Sequence, residues 1–481
     1  MTAFIGFSPD LDPATEGCIT DCSNLIPNTK GLQAAPSLVS AGFSALASAA
    51  KGFAVVRKLD NTKRVFCGTD SNLYEASGTT WSSVGAGYTL GTDTRWRFAQ
   101  FGNVSVAASK ETNIQGSSAG AFSALTGAPK AGIVETLNNQ IFAFNTDEGT
   151  YGDSPARWWC SAIGDENDWT PSSSTQSATN QLLDAPGPIT AGRRLGDIIV
   201  VYKDRAMFIG QYVGVPLIWN FIHLPGNIGT PCQEAVVTTG TAHYFVGPDD
   251  FYVFDGSRAQ PLQSPLRQWF FDNLDPQYAS KIVSAYDSIN GRIFWWFVSK
   301  SGAGAIDKGI CLHIQSGKWG RLDENIEAAA EYFEPGMTYD DLGSSYSTYD
   351  DLPTDISYDS PFWNAGNGVL AVFKSDHIAY TYSGTPGASS LTTGLVGDGT
   401  SYTELLGVRP RFIVSPTSTN MEHFYSNLQS DSLTVGGASA YSTEGNYDIL
   451  WSSRWHKVKL NFNGSHTIAG VDYNTSSGGW A

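Results

Sequence analysis

The chain has 481 residues, with 29 Lys and Arg against 46 Asp and Glu, a formal charge of −17. Charged residues make up 16%, against about 25% in an average globular chain, while 51 glycines and 12% aromatics stand high. That composition argues against a helical bundle, whose surfaces need Glu and Lys, and suits strands and turns. It also argues against a sequence-reading DNA binder, which needs clustered Lys and Arg, though not against a wall that DNA slides past.

Residues 1–50 are Pro- and Ala-rich with little periodicity and read as an N-terminal arm. No Lys or Arg precedes Lys30, so the basic start of a secretory signal is missing. Six scattered cysteines (Cys18, Cys22, Cys67, Cys160, Cys232, Cys311) lack a CxxC pair and read as reduced, buried thiols of a chain made in a cytoplasm. The longest apolar runs, such as 293–298, are far too short to span a bilayer, and no membrane insertion is expected.

From residue 53 a unit recurs: a strand, a Gly/Asp turn, then a strand closing on an aromatic and a glycine. Its instances are 65–67 with 73–78, 244–246 with 251–256, 293–298 with 310–317, and 369–373 with 378–384. The stretches 97–107, 138–145 and 197–212 fill the gaps, giving units of roughly 35–50 residues, the spacing of propeller blades. A sandwich explains single hairpins equally well, but not so many in series. The fold class expected is therefore all-β, a β-propeller of about six blades (seven also fits) with a C-terminal β-sandwich and one inserted helix.

That helix is expected after Ser264 as cap and Pro265 at its first position, with Leu266, Trp269, Phe270 and Leu274 on one face and Asp275-Pro276 as its end. Blades occupy 51–335, and 365–395 supplies the final propeller strands. Between them, 336–364 repeats Thr-Tyr-Asp-Asp-Leu and holds six aspartates without a Lys or Arg, which reads as an exposed acidic insertion. Residues 396–481 return to strand pattern and form the sandwich.

No catalytic constellation emerges, and the chain is expected not to be an enzyme. Gly116-Ser117-Ser118-Ala119-Gly120 matches GxSxG, but the 121–127 stretch after it is too short for the helix that a nucleophile elbow needs, so a hairpin turn is expected. Ser77-Gly78-Thr79-Thr80-Trp81 lacks the aspartate of a glycosidase Asp-box. The seven histidines (His223, His243, His313, His377, His423, His456, His466) show neither HxxxH nor HExxH spacing and read as structural. Catalytic, cofactor-binding and metal residues are none on this reading, and no cofactor is expected. Carboxylate pairs cannot be assigned without a fold, so a glycan-binding or glycan-cleaving propeller stays as the alternative.

Two segments point further. Cys22-Ser23-Asn24-Leu25-Ile26-Pro27-Asn28-Thr29-Lys30-Gly31-Leu32 with Pro36 resembles the opening "N-φ-x-P … G-x-x-x-x-P" of tail nozzle proteins of short-tailed bacteriophages, also called packaged-DNA stabilisation proteins. Residues 157–169 (Arg-Trp-Trp-Cys-Ser-Ala-Ile-Gly-Asp-Glu-Asn-Asp-Trp) resemble that group's aromatic "W-x-S-x-I-G-D-x-x-D-W". The 196–203 strand, the 250–274 stretch and the 451–473 run are similar to later parts of the family in the same order, whereas 336–364 has no counterpart there. The resemblance implies a virion protein assembled in the host cytoplasm. It implies a ring, usually of six copies, that retains packaged DNA and gives it an exit channel. Its implied partners are further copies of itself, the portal and head-to-tail adaptor, tail fibre or needle proteins, and passing DNA.

Overall fold

A strand apolar on both faces is stable only between two other apolar layers. Arg292–Phe297 is such a strand, buried at every position. Ile293, Trp295 and Phe297 pack with Val237, Val246 and Phe251 of the preceding sheet. Phe294 and Trp296, on the opposite face, pack with Leu370 and Val372 of the following one. Each large side chain so buried gains roughly 1.5–3 kcal/mol. The same arrangement repeats around a closed circle. The computed structural model describes residues 2–333, 368–429 and 432–477.

Seven antiparallel sheets make that circle. Blade one spans strands Gly52–Arg57 to Thr80–Ala86, blade two Arg97–Phe101 to Ser123–Ala124, and blade three Lys130–Leu137 to Ala178–Gln181. Blade four runs from Ile189–Leu195 to Ile218–Leu224, blade five from Val236–Thr238 to Ala259–Pro261, and blade six from Val283–Asp287 to Lys318–Leu322. Blade seven joins Ala328–Phe333, Gly368–Phe373 and Ala379–Gly384 to Ser37–Ser40, taken from near the chain's start. First strands of successive blades touch in sequence, and the first strand of blade seven touches that of blade one. One apolar cluster fills each of the seven gaps. The chain is thus an all-β propeller with seven blades, the larger of the two counts expected. All four hairpins expected from the recurring unit pair as strands, for example Phe245 opposite Tyr252 and Val372 opposite Tyr380.

Residues 1–50 are not an arm. Ile19–Ser23 pairs with Ala388–Thr393, while Leu32–Ala34 and Thr2–Ala3 pair with Thr467–Ser477. These strands complete a β-sandwich whose remaining strands lie between Ala388 and Ser477. The sandwich therefore starts before residue 396 and takes in Ala388–Thr393, expected from the sequence among the final propeller strands. In chain order the propeller is inserted into the sandwich. The acidic 336–364 stretch lies outside the described residues.

The two domains share a sheet and a core. Leu25 pairs with Arg321 on the outer strand of blade six, so blade and sandwich form one continuous ten-stranded sheet. Gly320 sits at this seam, where an added Cβ would lie 2.3 Å from the Leu25 carbonyl oxygen. Phe4, Phe7 and Leu391 of the sandwich belong to the same apolar cluster as Trp295 and Trp319 of blade six.

The helix forms as Arg267–Asn273 between blades five and six. Leu266, Phe270 and Leu274 are buried as its pattern requires. Its cap differs from expectation. Ser264 donates instead to Asp250, and the carboxylate of Asp10, from the sandwich, accepts from the backbone of Gln268 and Trp269. Phe7 meets Trp269 edge-on at 5.0 Å, so the helix's apolar face docks on the sandwich's first segment.

Candidate functional site at the propeller axis

Where seven first strands converge, their residues line a cavity of about 140 Å³. Six blades contribute Phe53, Arg97, Val134, Arg193, Ser284 and Ala328, and the turn before blade five contributes Glu234. Three arginines gather in a chain whose net charge is strongly negative.

Arg97 is fully engaged. Its Nε and Nη2 donate to Glu234 at 2.7 and 2.9 Å, and its Nη1 donates to the Gly132 carbonyl at 2.5 Å. Burial alone would push the Glu234 carboxyl up, but the Arg97 guanidinium outweighs it and holds the group below its ordinary range. Gln233 beside it is buried, and its amide closes a pair of hydrogen bonds with the Gly192 backbone at 2.7 and 2.9 Å, tying blade four to the turn.

Arg95 and Arg193 are not so paired. Arg95 donates from Nη1 to the Glu327 carbonyl at 3.2 Å, and burial lowers its pKa. Arg193 Nε is buried without an acceptor. The charge of Arg193 acts on the carboxylate of Glu135. That carboxylate already accepts from the backbone of Thr136 and Arg194, and burial pushes its pKa up. Arg95 also lines a second cavity of about 260 Å³, together with Lys51, Asp93, Lys281 and Glu327. These arginines escaped the sequence reading. The available signal was charge at Arg95, Arg97 and Arg193 inside otherwise strand-forming segments, where alternation alone predicts burial.

The singled-out motifs have structural roles. Ser118 of the GxSxG match is exposed in the turn between Thr112–Ser117 and Ser123–Ala124, a strand-to-strand turn as expected. Tyr202 OH and His243 Nδ1 lie 2.8 Å apart, and His243 Nε2 lies 2.9 Å from the Arg194 carbonyl, joining blades four and five. Burial pulls the His243 pKa down to about 4. In the sandwich, His423 faces His456 at 3.0 Å. All six cysteines are buried and free, and burial pushes Cys160 and Cys232 up to about 12. Among the described residues no three His, Cys, Asp or Glu side chains gather as a metal would need. No described helix is long and apolar enough to cross a membrane.

The sheets define the class: a seven-bladed β-propeller carried on a β-sandwich. No family model and no curated protein matches the chain. Among solved structures, YCF48 bound to D1 peptide aligns over 74% of this chain and 97% of its own, at 12% identity and a TM-score of 0.37. A mitotic checkpoint complex structure aligns over 72% and 94%, at 9% identity and 0.39. YCF48 from Cyanidioschyzon merolae covers 72% and 98%, at 10% identity and 0.35. Likeness at this level says nothing about function.

Proposed function

We propose that this chain is a structural virion protein, the ring-forming nozzle of a short phage tail, seated below portal and adaptor. The observation carrying the reading is where the family-like segments fall. Residues 22–36 supply Leu25–Pro27 and Leu32–Ala34, the strands that stitch the sandwich to blade six, and Arg292 Nε donates to the Pro27 carbonyl at 2.8 Å. In 157–169, Trp158 packs toward blade four, Trp159 and Trp169 toward blade two, and the Trp169 indole donates to the Glu166 carbonyl at 2.8 Å. The resemblance thus runs through residues that set the framework rather than through a pocket.

A shared sheet and core between the domains suits a wall that must hold its shape, because hinge motion there would break pairing and expose apolar surface. A charge of −17 suits a wall that DNA passes without sticking. On this reading the chain acts as structure, not as an enzyme.

The test mixes purified chain with DNA-filled heads that carry portal and adaptor but lack a nozzle. A new ring below the adaptor with reduced DNA leakage is the expected result, and its symmetry gives the copy number. Failure to attach to heads shown to carry adaptor overturns the proposal.

A further inference from the structure

A guanidinium taken out of water without an anion costs several kcal/mol, so natural proteins rarely leave one there. The axial cavity holds two part-buried guanidinium groups that no protein carboxylate neutralises by a direct ion pair. Arg97 and Glu234 cancel each other. Arg95 meets only a backbone carbonyl, and Arg193 Nε has no acceptor at all. We propose that the cavity binds one small oxyanion of the phosphate or sulfate class between Arg95 and Arg193.

Three features support this. The lining comes from six blades and the turn before blade five, so the site is held by the closed ring before any ligand arrives. Guanidinium forks match the geometry of tetrahedral oxyanions and bind them with charge-assisted hydrogen bonds. The volume, about 140 Å³, is ample for a five-atom oxyanion. Such an anion would tie blades two and four across the axis and act as a structural ligand, independently of the nozzle reading.

The experiment titrates the full chain with inorganic phosphate at constant ionic strength, chloride replacing phosphate in the control, and follows thermal unfolding and calorimetric heat. The expected result is a saturable rise in melting temperature with phosphate, as for any ligand that binds only the folded state. Arg193→Met should weaken the affinity by about tenfold or more, the worth of one charge-assisted hydrogen bond. Arg95→Gln is the second variant, should R193M fail to fold. No saturable heat with the native chain, or unchanged affinity in the folded variant, overturns the site.

Discussion

Lowering the pH should loosen the sandwich through His423, and the geometry sets the sign. His456 Nε2 lies 2.8 Å from the Thr403 carbonyl, which can only accept, so that nitrogen carries the hydrogen and Nδ1 is bare. His423 Nε2 therefore donates to His456 Nδ1, leaving His423 Nδ1 bare, buried and unpartnered. The space around it is closed: a methyl group added at Gly436 would lie 2.2 Å from that nitrogen, and Tyr425 and Trp451 flank the ring. A proton on Nδ1 would be a buried charge without an acceptor. Burial, with the facing His456 adding to it, brings the His423 pKa down to about 4. The unfolded chain titrates near 6.5, so it takes up the proton first. Stability present above that value is lost as pH falls from about 6.5 to about 4 and changes little below. For one group the loss is about 2 kcal/mol at about pH 5 and about 3.4 kcal/mol at its limit. The assay is urea unfolding at about pH 7.5 and about pH 5, native chain against His423→Phe, with the histidine ring protons titrated by NMR. The variant should be less stable at neutral pH, having left His456 Nδ1 without its donor, yet lose less on acidification. A ring midpoint near the ordinary histidine value, or equal acid losses in both chains, would refute the reasoning.

Other perturbations probe the framework. Glu234→Gln removes the counter-charge of Arg97 and should cost toward the low end of about 3–5 kcal/mol, because both side chains keep nearly a fifth of their exposure (19% and 18%); an unchanged urea midpoint would contradict this. Lys203→Met strips the donors that Nζ gives to the Leu182 and Ala185 carbonyls, both at 2.7 Å, and should cost about 1–3 kcal/mol for each acceptor left dry. Calorimetry of the variant checks it. Gly320→Ala drives a methyl group into the Leu25 carbonyl and should cost about 1–3 kcal/mol while opening the seam, seen as faster proteolysis of the first 36 residues.

The propeller was legible because its information is local. Alternation and Gly/Asp turns place paired strands a few residues apart, and an all-apolar run such as 293–298 demands two neighbours. The first 50 residues defeated the same method for a physical reason. Their strands are two to five residues long, and four of the five have partners beyond residue 370, as Ile19 does with Thr393. No window along the chain contains both halves of such a pair. The fourth strand of blade seven, Ser37–Ser40, was missed for the same reason, since it is separated from its partner Ala379–Gly384 by the whole propeller. The helix was legible from its apolar face, yet its cap comes from Asp10, more than 250 residues away. At the axis, Arg97 and Glu234 are 137 positions apart, so their pairing is a property of ring closure alone.

Inserting the propeller into the sandwich also imposes an order of events during synthesis. The strand that closes blade seven is made early, so the ring has all its pieces once residue 384 has emerged. Thr2–Ala3, Ile19–Ser23 and Leu32–Ala34 must meanwhile wait for partners that are not yet translated. Ile19 and Leu32 of these strands stay without those partners until the last hundred or so residues arrive. A growing chain thus carries an unfinished adhesive edge through most of its translation. Holding nascent chains apart until release matters more for this topology than for a propeller standing alone.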